Sequence, residues 1–418
     1  MESPGGDHSV PLQSPLKKPR LLGVLLGLGL FVRLGYGLHL PHVLLFPDEN
    51  SFDKIAWSVA SQGQYAIDGR PTTYRPPSYV IFMAALYKIF GHHYRVVRAA
   101  QAFMGLGLVL VLIGIANELR WSVKTQWAVA CLTTFYPFFI YYESHLMSDA
   151  SLTFWHAAAL LSIVRWHLDP TSEGRAALVG FCFAVLCLMK GIFIPLFAFV
   201  IAMEAFLAWR AKSGPFPWRS FMAAGFVFAL PLFLWALRNE RTFGRFMLDG
   251  HGGSTMIETI VFHDRVKDGT YPEVWAHHPL RQKTEAMSES DRDAFYSSYV
   301  KNYVRQHPRL YALQSLERFK DLWRFYPRQD IQFREGRRSL TLMSLLTEPF
   351  LILAGLVGLF RARRRWRELY PFYATLFLTT AAYALITGQM RYRLPLMPIM
   401  ILFASYAVFT PKNRSSDH

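Results

Sequence analysis

Acidic side chains stand at the ends of apolar stretches in this sequence, where they could do chemistry at a membrane face. Asp48 and Glu49 follow the first apolar stretch, and Glu143, His145 and Asp149 lie between the third and the fourth. A positioned carboxylate can accept a proton from a reacting hydroxyl group. Ionisable residues beside membrane spans are candidates for functional sites.

Basic side chains occupy similar positions along the chain. Lys190 lies between the fifth and sixth stretches, and the pair Arg238 and Asn239 follows the seventh. Arg391 and Arg393 precede the tenth. Because a guanidinium group can bind two phosphate oxygens at once, arginines here suit a phosphorylated ligand. Carboxylates and cations that converge on one membrane face predict a site for an anionic lipid headgroup and a proton transfer.

Each candidate also has a structural interpretation, and residue type alone leaves both open. Asp48 could cap a helix at 49–62, and Glu49 would then favour the positive end of its dipole. Glu143 and Asp149 could keep a tight turn hydrated. Lys190 could mark the end of a short helix, and Arg391 and Arg393 could anchor a span at the interface.

The composition indicates a membrane protein. Of the 418 residues, 52% are hydrophobic, 16% aromatic and 18% charged, which is not the balance of a soluble chain. The mean hydropathy of +0.18 requires polar segments between the apolar ones. Cys131, Cys182 and Cys187 lie inside apolar runs and are interpreted as small hydrophobic residues rather than as disulfide partners or metal ligands.

Ten apolar stretches approach the length of about 20 residues that a helix needs to cross a hydrocarbon core of about 30 Å. The fifth is short and is the least secure of the ten. A further stretch at 77–90 would reach only about 21 Å, so we expect it to lie along the membrane surface. The ten predicted spans are 21–39, 99–117, 126–142, 150–166, 176–189, 192–209, 220–236, 341–360, 370–387 and 394–410.

The positions of the basic residues orient these spans. The net charge of +16 could indicate nucleic-acid binding, but lysines and arginines fall mostly in short connectors, with five arginines at 361–367. Such connectors are typical of the cytoplasmic side, so nucleic acid is not an expected partner. The predicted organisation is a cytoplasmic tail at 1–20, a transmembrane module at 21–237 with a first outer loop at 40–98, an outer segment at 238–340, C-terminal helices at 341–410 and a cytoplasmic tail at 411–418.

The outer segments carry helical patterns and some motifs that do not support other functions. Apolar residues at helical spacing predict an amphipathic helix that Gly63 ends, and the same periodicity runs through 291–326 with a break at Pro308. The DxD motif at 291–293 follows a predicted helix start on the outer side, where nucleotide sugars are absent, so a metal role there is not expected. The sequence contains no Walker loop and no dinucleotide fingerprint.

Five segments in order resemble the GT-C membrane glycosyltransferases, in the branch with the protein O-mannosyltransferases and the lipid A aminoarabinose transferase. The first outer loop is similar in LLFPDENSFDKIAWSVASQGQY and PTTYRPPSYVIFMAALYKIFG. Further likeness lies in HLMSDASLTF, in LRNERTFGRFMLDGHGGS and in GQMRYRLPLMPIMILFA. The resemblance covers residues 21–410 and implies an all-α fold of about ten transmembrane helices with surface helices in the first outer loop.

The resemblance also implies roles for single residues. Asp48 matches the general base that takes the proton of the acceptor hydroxyl, and Asp149 matches a second acidic position. Arg75 matches the basic residue at the donor phosphate. The candidate site residues are therefore catalytic Asp48, Glu49 and Asp149; donor-phosphate-binding Arg75, Lys190, Arg391 and Arg393; and acceptor- or sugar-binding Glu143, His145, Tyr74, Arg238 and Asn239.

The expected function is transfer of a sugar from a polyprenyl-phosphate donor to an envelope lipid or glycan on the outer face, with inversion. The alternatives are a protein O-glycosyltransferase of the same fold, a transporter or flippase, and a membrane scaffold. We expect no required cofactor; a divalent metal is possible only at the cluster of Asp48, Glu49, Glu143, His145 and Asp149. The expected location is a bacterial inner membrane, with the active site on its periplasmic face.

Overall fold

The computed structural model describes residues 18–41, 43–211, 214–261, 278–326 and 337–410. The described part is almost entirely helical, as expected, with one two-stranded hairpin. Most of the first predicted tail, residues 1–17, and all of the second, residues 411–418, lie outside the described residues.

Seventeen α-helices are described, and we number them in chain order. They are α1 (Pro19–His39), α2 (Pro47–Gln62), α3 (Pro77–Phe90), α4 (Tyr94–Glu118), α5 (Val123–Phe135), α6 (Pro137–Glu143), α7 (Ser148–Leu168), α8 (Glu173–Cys187), α9 (Ile194–Ala211), α10 (Trp218–Phe243), α11 (Gly252–Met256), α12 (Pro279–Thr284), α13 (Glu289–Gln306), α14 (Pro308–Trp323), α15 (Arg337–Ala362), α16 (Trp366–Ile386) and α17 (Met397–Phe409). Short 3₁₀ segments precede α9 (Gly191–Phe193), α16 (Arg363–Arg365) and α17 (Met390–Leu396), and a π-helical turn (Ile257–Val261) follows α11.

Each of the ten predicted spans coincides with helix, but the spans are not equally long. Six segments of the described chain are long and apolar enough to cross a membrane, and one of them holds both α15 and α16. The predicted span 126–142 is divided into α5 and α6 at Tyr136. Pro137 causes this break, because proline disfavours helical backbone in the residue before it. The helix α8 has 15 residues, so it would reach about 22 Å.

The first outer loop forms a compact layer over the spans. The helix α2 follows the predicted pattern and ends at Gly63, whose φ of 70° is left-handed. The strands β1 (Ala66–Ile67) and β2 (Arg70–Pro71) form an antiparallel hairpin. The helix α3 coincides with 77–90 and packs against α2 around buried Phe52, Ile55 and Tyr79. The loop is therefore held by a hydrophobic core of its own.

The described part of the outer segment, residues 238–261, 278–326 and 337–340, is mostly helical and is bonded to the C-terminal helices. The helix α10 continues past 237 to Phe243, and the predicted periodicity at 291–326 corresponds to α13 and α14, divided at Pro308. Arg318 of α14 is buried and donates to the carbonyl of Ala384 in α16 at 2.8 Å. This contact ties the outer segment to the C-terminal helices.

The helix α17 lies at the centre of the molecule. Its residues from Met397 to Ser405 are all buried, and they pack against α15 where Gly355 and Gly358 approach Met400 and Phe403. A side chain at Gly358 would collide with the Phe403 carbonyl. Close packing through small residues is a common way for membrane helices to associate. Because this packing fixes α17, it also fixes the 3₁₀ segment that precedes α17 and contains Arg391.

Candidate functional site

Asp48 lies between two arginines that come from opposite ends of the chain. One carboxylate oxygen accepts a hydrogen bond from Arg75 Nη2 at 2.6 Å, and the other accepts one from Arg391 Nη2 at 2.7 Å. The Asp48 side chain is 28% exposed, and those of Arg75 and Arg391 are 16% and 12% exposed. Charge-assisted hydrogen bonds of this length are strong. The structure thus brings together three residues that the sequence predicted for one site.

The position of Arg75 is set by its neighbours in the first outer loop. Its Nε donates to Ser51 Oγ at 2.8 Å, and its carbonyl accepts from the Tyr65 hydroxyl at 2.7 Å. The guanidinium group lies 4.6 Å from the ring centroid of Tyr74 and 4.8 Å from that of Phe52. These cation–π contacts hold the group flat against aromatic surfaces.

Arg391 has further N–H donors besides the one that bonds to Asp48, and they face the interior of the protein. Its Nη2 also donates to the Tyr392 hydroxyl at 3.2 Å, and its Nη1 lies 3.6 Å from the sulfur of Met147. Its Nε is buried without a hydrogen-bond partner among the described residues. A buried donor without a partner carries a free-energy cost of about 1–3 kcal/mol. Arg391 Nε therefore adds an unsatisfied donor to the interior side of the cluster.

Asp149 and Lys190 complete the interior side of the cluster. Asp149 is 4% exposed, interacts electrostatically with Arg391, and has one carboxylate oxygen without a hydrogen-bond partner in the described chain. Tyr383 interacts electrostatically with both residues, and its hydroxyl likewise lacks a partner there. The Lys190 ammonium lies 4.2 Å from the ring centroid of Tyr392 and 5.7 Å from that of Tyr383. The interior side thus offers cations, a carboxylate and a hydroxyl to one ligand.

The two arginines control the protonation of Asp48. Burial raises the pKa of the Asp48 carboxyl, but the positive charges and hydrogen bonds of Arg391 and Arg75 outweigh it and hold the pKa well below its usual range. Asp48 is therefore ionised at neutral pH. It becomes a stronger base when the arginines turn toward another anion.

Glu49 is buried and bonds to the backbone rather than facing the cluster. Its Oε2 accepts from the N–H groups of Leu45 and Phe46 at 2.6 and 2.9 Å, and its Oε1 accepts from the N–H of Leu146 at 2.8 Å. Glu49 therefore caps α2 and joins it to the turn before α7. These contacts suit a positioning role for Glu49 rather than a proton transfer.

Glu143 and His145 lie in the wall behind Asp48. Glu143 is paired with buried Arg33 at 2.7 Å. His145 Nδ1 lies 2.8 Å from the Tyr141 carbonyl, and its ring packs edge-on against Phe46. The structure thus brings neither side chain into contact with Asp48, and their contact with acceptor or sugar stays a prediction. Arg33 and Glu143 lie 110 positions apart in the sequence, so no local pattern indicated their pairing.

Arg393 is separated from the cluster although it is only two positions from Arg391. It is 2% exposed, pairs with Glu348 at 2.7 Å, and donates to the carbonyls of Leu322 and Arg324. Tyr136 also bonds to Glu348. Arg393 therefore joins α14, α15 and the segment before α17. It was predicted beside Arg391 at the donor phosphate, but the structure does not bring it into the cluster with Asp48.

Arg238 and Asn239 support the hairpin and the chain after α10. Arg238 donates to the carbonyls of Thr72 and Tyr65 at 3.2 and 3.1 Å, and Asn239 is fully buried and donates to the Met247 carbonyl at 2.8 Å. Neither contacts Asp48. Tyr74, in contrast, lies against Arg75 at the edge of the cluster, and its role in binding acceptor or sugar stays a prediction.

Three residues of the cluster were not among the predictions. Tyr383 lies inside a predicted span, Tyr392 stands between the two arginines of the last motif, and Ser51 follows the Asp-Glu pair. A tyrosine within a span is typical of hydrophobic core, so its type carried no signal. Among the described residues, no group of three or more His, Cys, Asp or Glu side chains lies close enough to hold a metal ion.

Comparisons with known proteins found one matching family model and several similar folds. A family model described as dolichyl-phosphate-mannose-protein mannosyltransferase matches residues 48–245. This range, just under half of the chain, begins at Asp48 and includes Arg75, Asp149 and Lys190. No curated protein matches the chain.

Solved structures show a similar fold. The oligosaccharyltransferase of Archaeoglobus fulgidus, tethered with an acceptor peptide that contains an NVT sequon, has a TM-score of 0.53 at 14% identity, with 94% of this chain and 50% of that chain covered. The same organism's AglB, in complex with an inhibitory peptide and a dolichol-phosphate, has a TM-score of 0.52 at 14% identity, covering 93% and 50%. This chain therefore spans about half the length of those proteins.

A structure of ArnT from Cupriavidus metallidurans bound to undecaprenyl phosphate has a TM-score of 0.44 at 13% identity, covering 94% of this chain and 78% of that chain. The family match and the shared fold of the oligosaccharyltransferases confirm the resemblance drawn from the sequence. The expected almost entirely helical membrane fold is thus shared with these oligosaccharyltransferases, and residues 48–245 match the mannosyltransferase family model.

Proposed function

We propose that the protein transfers a sugar from a polyprenyl-phosphate donor to a hydroxyl group of an envelope lipid or glycan, with inversion and with Asp48 as general base. The observation that carries this proposal is the position of Asp48 between Arg75 and Arg391. A carboxylate and two guanidinium groups at one place supply a base and a phosphate clamp together. The solved dolichol-phosphate complex of similar fold supports a lipid phosphate as the ligand.

In the proposed reaction, the donor phosphate takes over hydrogen bonds of Arg391 and Arg75. The pKa of Asp48 then rises toward its usual range, so Asp48 stays ionised at neutral pH but becomes a stronger base. The acceptor oxygen attacks the anomeric carbon from the face opposite the phosphate. The bond from that carbon to the phosphate oxygen breaks, and its electron pair leaves with the polyprenyl phosphate. Asp48 accepts the proton of the acceptor hydroxyl. Arginines at the leaving phosphate stabilise the charge that develops there.

Asp149, Tyr383 and Lys190 fit the sugar part of the donor. A sugar hydroxyl can donate to the free oxygen of Asp149 and accept from the Tyr383 hydroxyl, and these two groups are buried without partners among the described residues. Lys190, held over the Tyr392 ring, adds a positive charge to the interior side. The lipid tail can remain in the bilayer while the headgroup enters this polar region.

Two other functions share parts of this site. A protein O-glycosyltransferase would use the same base and clamp, and it differs in the acceptor. A transporter or flippase would also bind a lipid phosphate, but it would not require a carboxylate base held between two arginines. The proposed location is the inner membrane of a bacterium, with the site on the periplasmic face.

The test is release of polyprenyl phosphate by purified protein in lipid nanodiscs, with a panel of polyprenyl-phosphate sugars and envelope extract as acceptor. Asp48→Asn keeps the size of the side chain but removes the base, so we expect its turnover to fall at least 1000-fold. The matched control is Asp169→Asn, because Asp169 lies in the connector between α7 and α8, where it is 43% exposed. Turnover by Asp48→Asn at the wild-type rate would rule out the proposed base.

A further inference from the structure

An outer cavity of about 1320 Å³ lies between the first outer loop and the outer segment. Its walls come from the hairpin and the chain that follows it, residues 67–74, and from α11, α12 and the start of α13. Small-molecule pockets have volumes of about 300–1000 Å³, so this space accommodates a ligand of several rings. None of the residues predicted for the donor phosphate lines it.

The walls of the cavity are joined by one carboxylate. Glu289, at the start of α13, accepts from the hydroxyls of Thr72 and Thr73 at 2.8 and 2.7 Å and from the Thr73 N–H at 2.8 Å. Gly250 lies so close to Thr73 that a side chain at this position would collide with it. These contacts fix the two walls relative to each other, so the fold itself determines the shape of the cavity.

The cavity reaches the catalytic cluster through one side chain. Tyr74 lines the cavity, and its ring lies 4.6 Å from the Arg75 guanidinium, which bonds to Asp48. His251 lines the cavity beside Tyr74, with their ring centroids 4.3 Å apart, and it interacts electrostatically with Asp48. Tyr74 and His251 therefore place the cavity next to the pair of Arg75 and Asp48.

The charges on the walls are nearly balanced and do not form a cationic site for several phosphates. Four carboxylates and three guanidinium groups line the cavity in the described chain, although the chain as a whole carries a net charge of +16. Burial and the charge of Arg75 lower the pKa of His251 to about 4, so this ring is neutral at pH 7. Several phosphates would meet like charges here, which costs binding free energy. The acids are Asp68, Glu258, Glu285 and Glu289, and the bases are Arg70, Arg281 and Arg292.

The hairpin gives little support to an extended peptide. Peptides commonly bind by adding a strand to an exposed sheet edge. The strand β2 is only two residues long, and its second residue, Pro71, has no N–H to donate. Carboxylates, guanidinium groups and hydroxyls beside aromatic rings suit instead a ligand that presents many hydroxyl groups and flat apolar ring faces. That chemistry is the chemistry of a saccharide.

We propose that this outer cavity is the acceptor site and that its ligand is an uncharged saccharide. The assignment of an acceptor rests on the proposed glycosyl transfer, whereas the binding of the saccharide does not. The acceptor enters from the outer side past Tyr74, and the donor lies on the side of Arg391 and Lys190. The reacting hydroxyl meets the anomeric carbon next to Asp48, between the two.

The first test is binding without donor. Short uncharged oligosaccharides of hexose and N-acetylhexosamine units, their phosphorylated counterparts, and serine- and threonine-containing peptides are titrated against the full-length protein in nanodiscs. We expect the uncharged saccharides to bind at least tenfold more tightly than either other class. Absence of saccharide binding, or tighter binding of phosphorylated saccharides or of peptides, would overturn the proposal.

A blocking variant tests the place of binding. Ala286 is exposed and lines the cavity, so Ala286→Trp fills space without disturbing packing. The matched control is Ala312→Trp, because Ala312 is equally exposed on α14 and does not line the cavity. We expect Ala286→Trp, and not the control, to weaken saccharide binding at least tenfold. Equal binding by both variants would place the saccharide elsewhere.

A charge-reversal variant tests whether the wall charges determine the preference for uncharged over phosphorylated saccharides. Glu285→Arg replaces a lining carboxylate by a guanidinium group, and Glu317→Arg makes the same change on α14, away from the cavity. We expect Glu285→Arg alone to raise the affinity for phosphorylated relative to uncharged saccharides at least tenfold. An unchanged ratio would contradict the role of the wall charges. Saccharide binding without transfer in the nanodisc assay would instead count against the proposed reaction and leave the cavity assignment standing.

Discussion

Asp48 accepts a guanidinium N–H on each of its two oxygens. In this state it is a poor base, and an anionic ligand at the arginines increases its basicity. The same contact that lowers the pKa of Asp48 therefore couples proton acceptance to the presence of the donor phosphate. Under the proposed function, a hydroxyl group that reaches Asp48 before a donor is bound meets a weaker base than it does afterwards.

The two arginines of the last motif are expected to respond differently to substitution. Arg391→Lys keeps one charge but loses the planar group that bonds to Asp48 and Tyr392, so we expect kcat/KM to fall on the order of 100-fold with little loss of stability. Arg393→Lys acts on the buried pair with Glu348, so we expect a lower melting temperature in nanodiscs. Turnover and thermal unfolding of both variants check this. Equal losses of activity at equal stability would contradict the separation.

Asp249 provides a pH dependence at the outer side. Desolvation by the surrounding protein, with the nearby charges of Asp293 and Glu289, raises the pKa of Asp249 to about 6, although the hydrogen bond that its Oδ1 accepts from the His251 backbone N–H and the charge of Arg75 lower it. A raised carboxyl pKa gives stability that is present below the unfolded pKa of about 4 and lost as pH rises through about 6. We therefore expect Asp249→Asn to raise the melting temperature at pH 7.5.

The advantage of Asp249→Asn should shrink as the pH falls from 7.5 to 4.5, and thermal unfolding across that range measures it. The control is Asp169→Asn, for which we expect the same small effect at each pH. A constant difference between Asp249→Asn and wild type would show that the pKa of Asp249 is not raised.

At the residue scale, the sequence located the core of the site. Asp48, Asp149, Lys190 and Arg391 were recognised because charged groups beside membrane spans are costly and therefore informative. Arg393 has the same type and nearly the same position, and only tertiary packing directs it to Glu348. Which of two neighbouring arginines faces a cavity is not encoded in their spacing.

Among the elements, α2 has the most direct effect on the site, because Asp48 lies in its first turn. Glu49 bonds to three backbone N–H groups, of which one belongs to Leu146 in the turn before α7. The side chain of Glu49 thus fixes the position of Asp48, the residue before it. The direction of Asp48 toward Arg391 depends on this attachment.

Glu49→Gln is expected to weaken the attachment of α2. One of the two oxygens becomes an NH₂ group, which faces backbone N–H donors and cannot accept from them. We expect a lower melting temperature and a reduced kcat at a nearly unchanged donor KM. The measurements are thermal unfolding and steady-state kinetics, with Asp68→Asn, whose exposed pair with Lys54 contributes little, as control for the unfolding. A wild-type kcat would show that α2 keeps its place without this contact.

The sequence predicted most elements but not their interruptions. Periodicity located α2 and the division between α13 and α14, since amphipathic faces and proline act locally. It missed the division of the third predicted span at Tyr136, because the composition on both sides of Pro137 is apolar. It also left the number of spans open, because α8 is shorter than a bilayer core and only its packing against α7 and α10 shows that it belongs to the bundle.

For the whole molecule, the predicted topology places the cluster and the outer cavity on one face and the arginines of 361–367 on the other. Arginine-rich connectors favour the cytoplasmic side. The cavity lies at the ends of spans where the first outer loop and the outer segment meet, so lipid and water-soluble ligands can approach from different directions. This separation suits an enzyme that joins a lipid-borne sugar to a hydrophilic acceptor.

Cysteine labelling checks the topology. In cells that express a variant with Cys131→Ala, we expect Ala286→Cys to react with a membrane-impermeant maleimide added from outside, because residue 286 is exposed at the cavity. Arg364→Cys should react only after the membrane is permeabilised. Cys182 and Cys187 are buried and serve as the internal background. Labelling of Arg364→Cys in intact cells would invert the predicted orientation.

The hydrogen bond between Asp48 and Arg391 spans 343 positions of the sequence. During synthesis, Asp48 leaves the ribosome 343 residues before Arg391. The second half of the clamp therefore closes only when the segment before α17 has reached the membrane. A nascent chain that has not yet reached Arg391 can hold Asp48 beside Arg75 alone, so the cluster is assembled late in synthesis.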